Sequence, residues 1–469
     1  MKITTAVSAF LLTGLLAACA GTSGSGVPMP GPAPITQPVT TPVMDVAQEP
    51  VAPLAVPAER FAQLAVVSLL PGDRSDTVGA ELKGKVMAWN AAGCATGQMD
   101  ECTATVGLNT ALSPQRLAAL SARKVTTEVN RDAFSGGGAL TATMGGAIGI
   151  WSGGAIGIWS GGAIGIWSGG TYNPLPQNSA VWTKIGLEKA HTLAPKLGAG
   201  VTVAVIDTGI DLNHPAFKGL LSAPATWHDF YANDDLPEEE GTLGTGAYGH
   251  GTNVAGIILQ VAPAAKVMPL RVLGPDGSGD VAMVSQAIDW AVSHGAQVVN
   301  LSLGSTENST IIQGAIARAT AQGVLVVSSA GNENRDQITY PAALARNEGT
   351  AGDLALSVGS VSLSDVKSTF SNYAKALELV APGENVYAPA PDGRMASWSG
   401  TSMAAPMVSG GLALALGQPL YFLPKYLPST LAYTASDVYH SAGNTPYKDK
   451  LGVRGRLDLA TFLTFSVHR

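Results

Sequence analysis

The sequence predicts a doubly wound α/β domain over residues 178–469, a mostly parallel sheet with helices on both faces, preceded by a small α+β region. Three observations predict it. Short apolar runs rich in Val, Ile and Leu recur through this part of the chain, the pattern of strands buried on both faces. Stretches of helical periodicity alternate with them, as crossover helices do in a parallel sheet. Glycines stand where those helices must stop.

Along the chain, Val201-Thr202-Val203-Ala204-Val205-Ile206 is the first buried strand, closed by Asp207-Thr208-Gly209. An apolar helix follows His250. Further strands are expected over Lys266 to Leu273, Gln297 to Leu303, Val324 to Ser329, Leu356 to Val361 and Leu377 to Ala381. Amphipathic helices are expected over Asp280 to His294 and Thr310 to Gln322. Asp280 is a candidate N-cap, and Gly295 and Gly323 are the stops. Met403 to Leu416 continues apolar and Ala-rich as a helix, and Gly455 to Ala460 reads as a final helix packed on the domain.

The chemistry concentrates in four places. Gly400-Thr401-Ser402-Met403-Ala404-Ala405-Pro406 puts a serine where a tight turn feeds a helix, among small side chains and in the positive field of a helix N-terminus. A nucleophilic serine needs a base, and the base needs an orienting carboxylate. Asp207 ends a central strand, where α/β sheets carry their working groups. His250 lies in Tyr248-Gly249-His250-Gly251-Thr252, at the start of a helix. Asn332 closes Ser329-Ala330-Gly331-Asn332 after a strand. Singly, each has an ordinary use: a strand end, a helix cap, a first-turn serine, a turn asparagine. Together, in the order Asp, His, Ser, they supply an orienting carboxylate, a base and a nucleophile.

These four boxes resemble those of subtilisin-like serine proteases, over about Asn178 to Phe465. The resemblance implies catalysis by Asp207, His250 and Ser402, with Asn332 as the oxyanion-hole amide. It implies that Gly277-Ser278-Gly279 is the edge segment pairing with an extended peptide, and Ser302-Leu303-Gly304 the opposite wall, so that substrate adds as a β-strand. Glu333 and Thr339 match positions near the primary pocket, and Thr339 stands where relatives often have glycine, which implies a shallower pocket. No cofactor is expected. The family's strong calcium site needs an inserted loop where this chain runs straight from His250 to Val261, and an aspartate where it has Ala216. Asn253 replaces a second histidine found in many relatives. His214 reads as structural, and the remaining histidines lack metal-ligand spacing.

The first half of the chain reads differently. Residues 1–18 have a charged start, a short apolar stretch and small residues, an export signal too short to span a bilayer. Leu16-Ala17-Ala18-Cys19 resembles a bacterial lipobox, which implies a lipid on Cys19 and an extracytoplasmic anchor at the cell envelope. Residues 19–57, rich in Pro, Gly, Ser and Thr, read as a tether. Residues 58–134 resemble a prodomain in length and position, with an unrelated adaptor domain as the alternative; a charged helix is expected over Pro114 to Lys124. Cys94 and Cys102 are a candidate disulfide, with free thiols as the alternative. Residues 135–177 hold an octapeptide repeat beginning Gly145-Gly146-Ala147-Ile148-Gly149-Ile150-Trp151-Ser152, read as a junction.

With 27 basic and 34 acidic residues the net charge is −7, and no basic stripe for nucleic acid stands out. The expected partners are polypeptide substrates, the chain's own prodomain as inhibitor and chaperone, and a membrane through Cys19. The competing class is a catalytically silent binding or scaffold protein on the same fold. Four filled chemical positions weigh against it. An esterase or peptide ligase using the same triad remains open.

Overall fold

The computed structural model describes residues 61–70, 73–90, 102–121, 123–130, 132–135, 176–242, 246–345 and 354–468. The export signal, Cys19, the tether, Cys94 and the octapeptide repeat lie outside the described residues.

The N-terminal region forms an antiparallel sheet of β1 (Gln63–Ser68), β2 (Lys85–Asn90), β3 (Thr103–Leu108) and β4 (Val125–Val129), in the order β2-β3-β1-β4. Helices α1 (Ser75–Leu82) and α2 (Pro114–Ala119) accompany it. Strand alternation divides its side chains. Ala65 and Val67 join Val78, Leu82 and Val106 in the region's own core. Leu64, with Phe61, Val66 and Met87 at its margin, belongs instead to an apolar cluster of the large domain that includes Ile288 and Ile312. Helix α2 is shorter than the sequence predicts. Its cap Ser113 accepts from Arg116 N, but the chain turns after Leu120 because Arg123 is bound by Asp73 and Glu81, and Val125 must enter β4.

The large domain is built on nine strands. They are β6 (Thr202–Asp207), β7 (His228–Asp229), β8 (Lys266–Arg271), β10 (Val298–Leu301), β12 (Leu325–Ser329), β13 (Ala355–Val361), β14 (Leu379–Pro382), β17 (Ser436–Asp437) and β18 (Gly455–Arg456), ordered β17-β18-β14-β13-β12-β10-β6-β8-β7. Every pairing is parallel except β17 with β18. Val203 and Val205 face a core shared with α5 (His250–Val261) and α8 (Thr401–Leu416). Ala204 and Ile206 face α6 (Val281–Ser293) and α7 (Thr310–Ala321). Both faces are therefore covered, which is why the run has no polar alternation. Asp280 caps α6 through Met283 N at 2.9 Å, and Gly295 and Gly323 take positive φ just past the two helix ends.

Three segments depart from expectation. The run Gln297 to Leu303 breaks at Ser302, and β11 (Leu303–Gly304) leaves the main sheet for a three-stranded one. Gly455-Arg456 is strand, not helix. The final helix, α10 (Leu459–Ser466), starts only after its cap Asp458, which accepts from Thr461 N at 2.9 Å. Pairing of Arg456 with Val380 of β14 and with Ser436 of β17 holds this segment extended, and its buried side chain is bound by Asp365. A hairpin of β15 (Val386–Ala390) and β16 (Arg394–Trp398) has no counterpart in the sequence reading.

Candidate active site

Asp207 is the last residue of β6 and is fully buried. Its Oδ1 accepts from Thr208 N at 2.8 Å and meets His250 Nδ1 at 2.7 Å. Its Oδ2 is buried with no hydrogen-bond partner among the described residues. The Asp207 carbonyl accepts from Val272 N and Leu273 N, which ties the strand end to the next loop. His250 opens α5 after Gly249, whose φ of 99° favours glycine; a Cβ there would lie 2.8 Å from Pro391. Gly251 allows the helix to approach Gly209, whose carbonyl oxygen a Cβ would meet at 2.1 Å. The Trp398 ring leans on the imidazole with centroids 5.8 Å apart.

Ser402 lies in the first turn of α8, a helix buried nearly throughout. Pro406, four residues on, has no N–H, so the usual helical partner of the Ser402 carbonyl is missing. Ser302 Oγ fills the gap, donating to Ser402 O at 3.0 Å. In return Ser402 Oγ donates to Ser302 O at 3.2 Å. Behind them Asn300 donates to Ser302 Oγ and accepts from Ser409 Oγ, all buried. The break between β10 and β11 is thus the place where the strand turns its backbone to the helix that carries Ser402. Asn332 Oδ1 accepts from Thr401 N at 2.8 Å and from Thr401 Oγ1 at 2.9 Å. With the oxygen so held, Nδ2 faces Gly400, where a Cβ would lie 3.6 Å from it.

The two segments read as groove walls flank one strand. β5 (Asp132–Ser135) lies between β9 (Ser278–Asp280) and β11, antiparallel to both. Ala133 faces Gly279 and Phe134 faces Ser278; on the other side Phe134 faces Gly304 and Ser135 faces Leu303. Gly277 precedes β9 with φ 80°. A second contact joins the same N-terminal region to the large domain. Glu128, at the end of β4, accepts from Ser309 Oγ at 2.6 Å, Thr310 N at 2.8 Å and Thr310 Oγ1 at 2.6 Å, at the N-terminus of α7. Thr339 is buried; Cβ atoms added to Gly304 and Gly331 would meet it at 2.7 Å. Glu333 lies against Gly331 as well, accepts from Asn372 Nδ2 at 2.6 Å, and burial pushes its carboxyl up.

Sequence reasoning missed Glu239. It sits 6 % exposed below the Asp207–His250 pair, bonded to Thr208, Gly249, Gly251 and Thr252. Nothing in Glu238-Glu239-Glu240 marks the middle residue, because the loop that turns it inward has no motif. His214 is buried, with Nε2 on Arg394 O and Nδ1 accepting from Ala216 N. Ala216 is buried in a 3-10 turn and has no side-chain oxygen, and α5 runs without insertion from His250 to Val261. Cys102 is disulfide-bonded; Cys94, the partner expected from the sequence, lies outside the described residues.

A parallel α/β sheet with a serine on a helix N-terminus and a buried Asp–His pair at its carboxyl edge has the architecture of a serine hydrolase. The profile of the Subtilase family matches residues 198–452, just over half of the chain, and the chain belongs to that family. "Subtilisin Savinase" of Lederbergia lenta is 39% identical over 226 residues, covering 46% of this chain and 76% of that protein. An "Alkaline protease" of Shouchella clausii is 39% identical over 226 residues, covering 46% of this chain and 54% of that protein. A solved structure described as a cold adapted subtilisin-like serine proteinase aligns with a TM-score of 0.45 and 35% identity, over 51% of this chain and 84% of that one. The protein is a serine-type endopeptidase.

Proposed function

We propose that the protein is an exported endopeptidase that cuts extended polypeptides with Ser402 as nucleophile, His250 as general base and Asp207 as its orienting carboxylate. The observation that carries this is the buried 2.7 Å bond between Asp207 Oδ1 and His250 Nδ1. That bond holds the proton on Nδ1 and leaves Nε2 as the acceptor. Turned from Ser302 O toward Nε2, the Ser402 hydroxyl gives up its proton as Oγ bonds to the scissile carbonyl carbon. Asp207 Oδ2, without a donor of its own, leaves carboxylate charge available to the imidazolium. The oxyanion accepts from Ser402 N–H and Asn332 Nδ2, a pair in which one donor is worth about 3–4 kcal/mol. The imidazolium then protonates the leaving amine, and water repeats the sequence on the acyl-enzyme.

The placement of β5 supports substrate binding as an antiparallel strand, and residues 58–134 acting as a prodomain that fills the same groove. Ser135 faces Leu303, one residue from Ser302, so we read the maturation cut as falling in the Gly136-Gly137-Gly138 run that follows in sequence. Lipid anchoring at Cys19 rests on the lipobox-like Leu16-Ala17-Ala18-Cys19, and calcium at the family's strong site is left out of this reading on account of Ala216. We read Thr339, where relatives often have glycine, as making the primary pocket shallower, with Glu333 beside it. The test is Ser402→Ala. It should abolish peptide hydrolysis and labelling by a fluorophosphonate, while processed wild type labels at Ser402. Wild type that does not label there would leave the silent scaffold as the better reading.

A further inference from the structure

Glu239 accepts from five donors. Oε1 takes Gly249 N at 3.0 Å, Gly251 N at 3.2 Å and the Thr208 hydroxyl; Oε2 takes Thr252 N at 3.3 Å and the Thr252 hydroxyl. Thr208 Oγ1 already accepts Gly251 N–H at 3.0 Å, and Thr252 Oγ1 accepts Asp211 N–H at 2.9 Å. Each hydroxyl gives its single proton to Glu239, and the Gly251 N–H is shared between Thr208 Oγ1 and Glu239 Oε1. The carboxylate thus binds the residue after Asp207 and the residues on both sides of His250.

We propose that Glu239 is a positioning residue: as a carboxylate it ties the strand end carrying Asp207 to the helical turn carrying His250, and so sets the line of the Asp207–His250 hydrogen bond. This rests on the reading of Asp207, His250 and Ser402 given above. Glutamine cannot replace it, since one amide oxygen would replace two acceptors and the NH₂ would face donors. Aspartate keeps both acceptors but is one methylene short. The charged and titratable groups acting on Glu239 are Asp207 and His250 on the sheet and helix, with Tyr248 on the approach to the helix; Asp211 reaches the cluster through its N–H on Thr252 Oγ1, and Glu238 is the neighbour in sequence. Burial pushes Glu239 up to about 7, and the Thr208 and Thr252 hydroxyls pull it down; Asp207 adds to the rise and His250 opposes it.

The test uses the full chain, matured, above about pH 8, where Glu239 is ionised, with rates normalised to fluorophosphonate-titrated sites. Glu239→Gln should lower kcat by about 10–100-fold with KM within about twofold, because misalignment acts on the chemical step and not on the groove. The downfield proton resonance of the Asp207–His250 bond should shift or vanish. Glu239→Asp should recover part of kcat. If Glu239→Gln does not fold, Thr208→Val decides: it removes one donor and leaves the carboxylate, and should lower kcat with KM kept. Unchanged kcat per titrated site, or an unmoved resonance, in the variant that folds overturns the proposal. Ser402→Ala separates the two failures. If that variant still hydrolyses peptide, the triad reading is wrong; if it is inactive while Glu239→Gln is fully active, only the role of Glu239 is wrong.

Discussion

Pro406 removes one hydrogen bond from α8, and the effect falls on Ser402, four residues earlier. The freed carbonyl is taken by Ser302, so a loss inside the helix becomes a fixed contact between the serine and the groove wall. Glu238 acts on stability at the same scale. Burial first, then the Asp211 charge, pushes its carboxyl up to about 7 from an ordinary 4.5. The folded protein therefore keeps a proton that the unfolded chain has lost. The stabilising contribution is fully present below about pH 4.5 and is lost as pH rises through about 7. Glu238 is partly exposed, and after screening the effect should be about 1 kcal/mol. In an Ser402→Ala background, denaturant melts between about pH 5 and 8 should show the parent losing that much relative to Glu238→Gln. Parallel curves would mean that Glu238 does not titrate in this range.

Helix α7 shows how one element is completed by a segment far away in sequence. Its own cap, Ser309, accepts from Ile312 N at 3.2 Å, but the first-turn donors at Ser309 and Thr310 are completed by Glu128 from the N-terminal region. The contact lies apart from β5, so it should matter after β5 is cut free. Glu128→Ala should weaken the grip by about 0.5–2 kcal/mol, as loss of a helix cap does. Active enzyme should then appear several-fold sooner after processing, with the processed N-terminal piece no longer co-eluting. Release at the wild-type rate would assign the grip to the strand and the apolar face of Leu64 alone.

Across the whole chain, the order of parts has a mechanical consequence. Cys19 lies before the N-terminal sheet, and Ser402 lies far beyond β5. If a lipid is attached at Cys19 and the chain is cut after β5, anchor and enzyme become separate molecules, held together by contacts that include β5, the apolar face of Leu64, Phe61, Val66 and Met87, and Glu128. Ser402→Ala protein should stay full-length and sediment with membranes, whereas wild type should release a soluble, active C-terminal fragment. Cell fractionation with a C-terminal blot reads both. Intact, membrane-bound and fully active wild type would show a tethered enzyme whose N-terminal region is not removed.

Much of this was legible in the sequence because it is local. A run such as Val201 to Ile206 needs two apolar faces wherever it goes, so the parallel sheet and its order of helices followed from periodicity. Asp207, His250, Asn332 and Ser402 stood in short boxes whose glycines answer to local demands, as the φ of Gly249 shows. Boundaries were less legible where a distant side chain decides them. Arg123 shortens α2 through Asp73, and pairing with β14 and β17 turns the expected helix at Gly455-Arg456 into strand. Glu239 was illegible for the same reason. A carboxylate between two identical neighbours acquires its surroundings only when the loop folds under α5, and its five donors come from segments up to 31 residues away in sequence. Periodicity reports which face of an element is covered; only the tertiary structure decides which buried polar groups meet, because their pairing depends on contacts that no local pattern encodes.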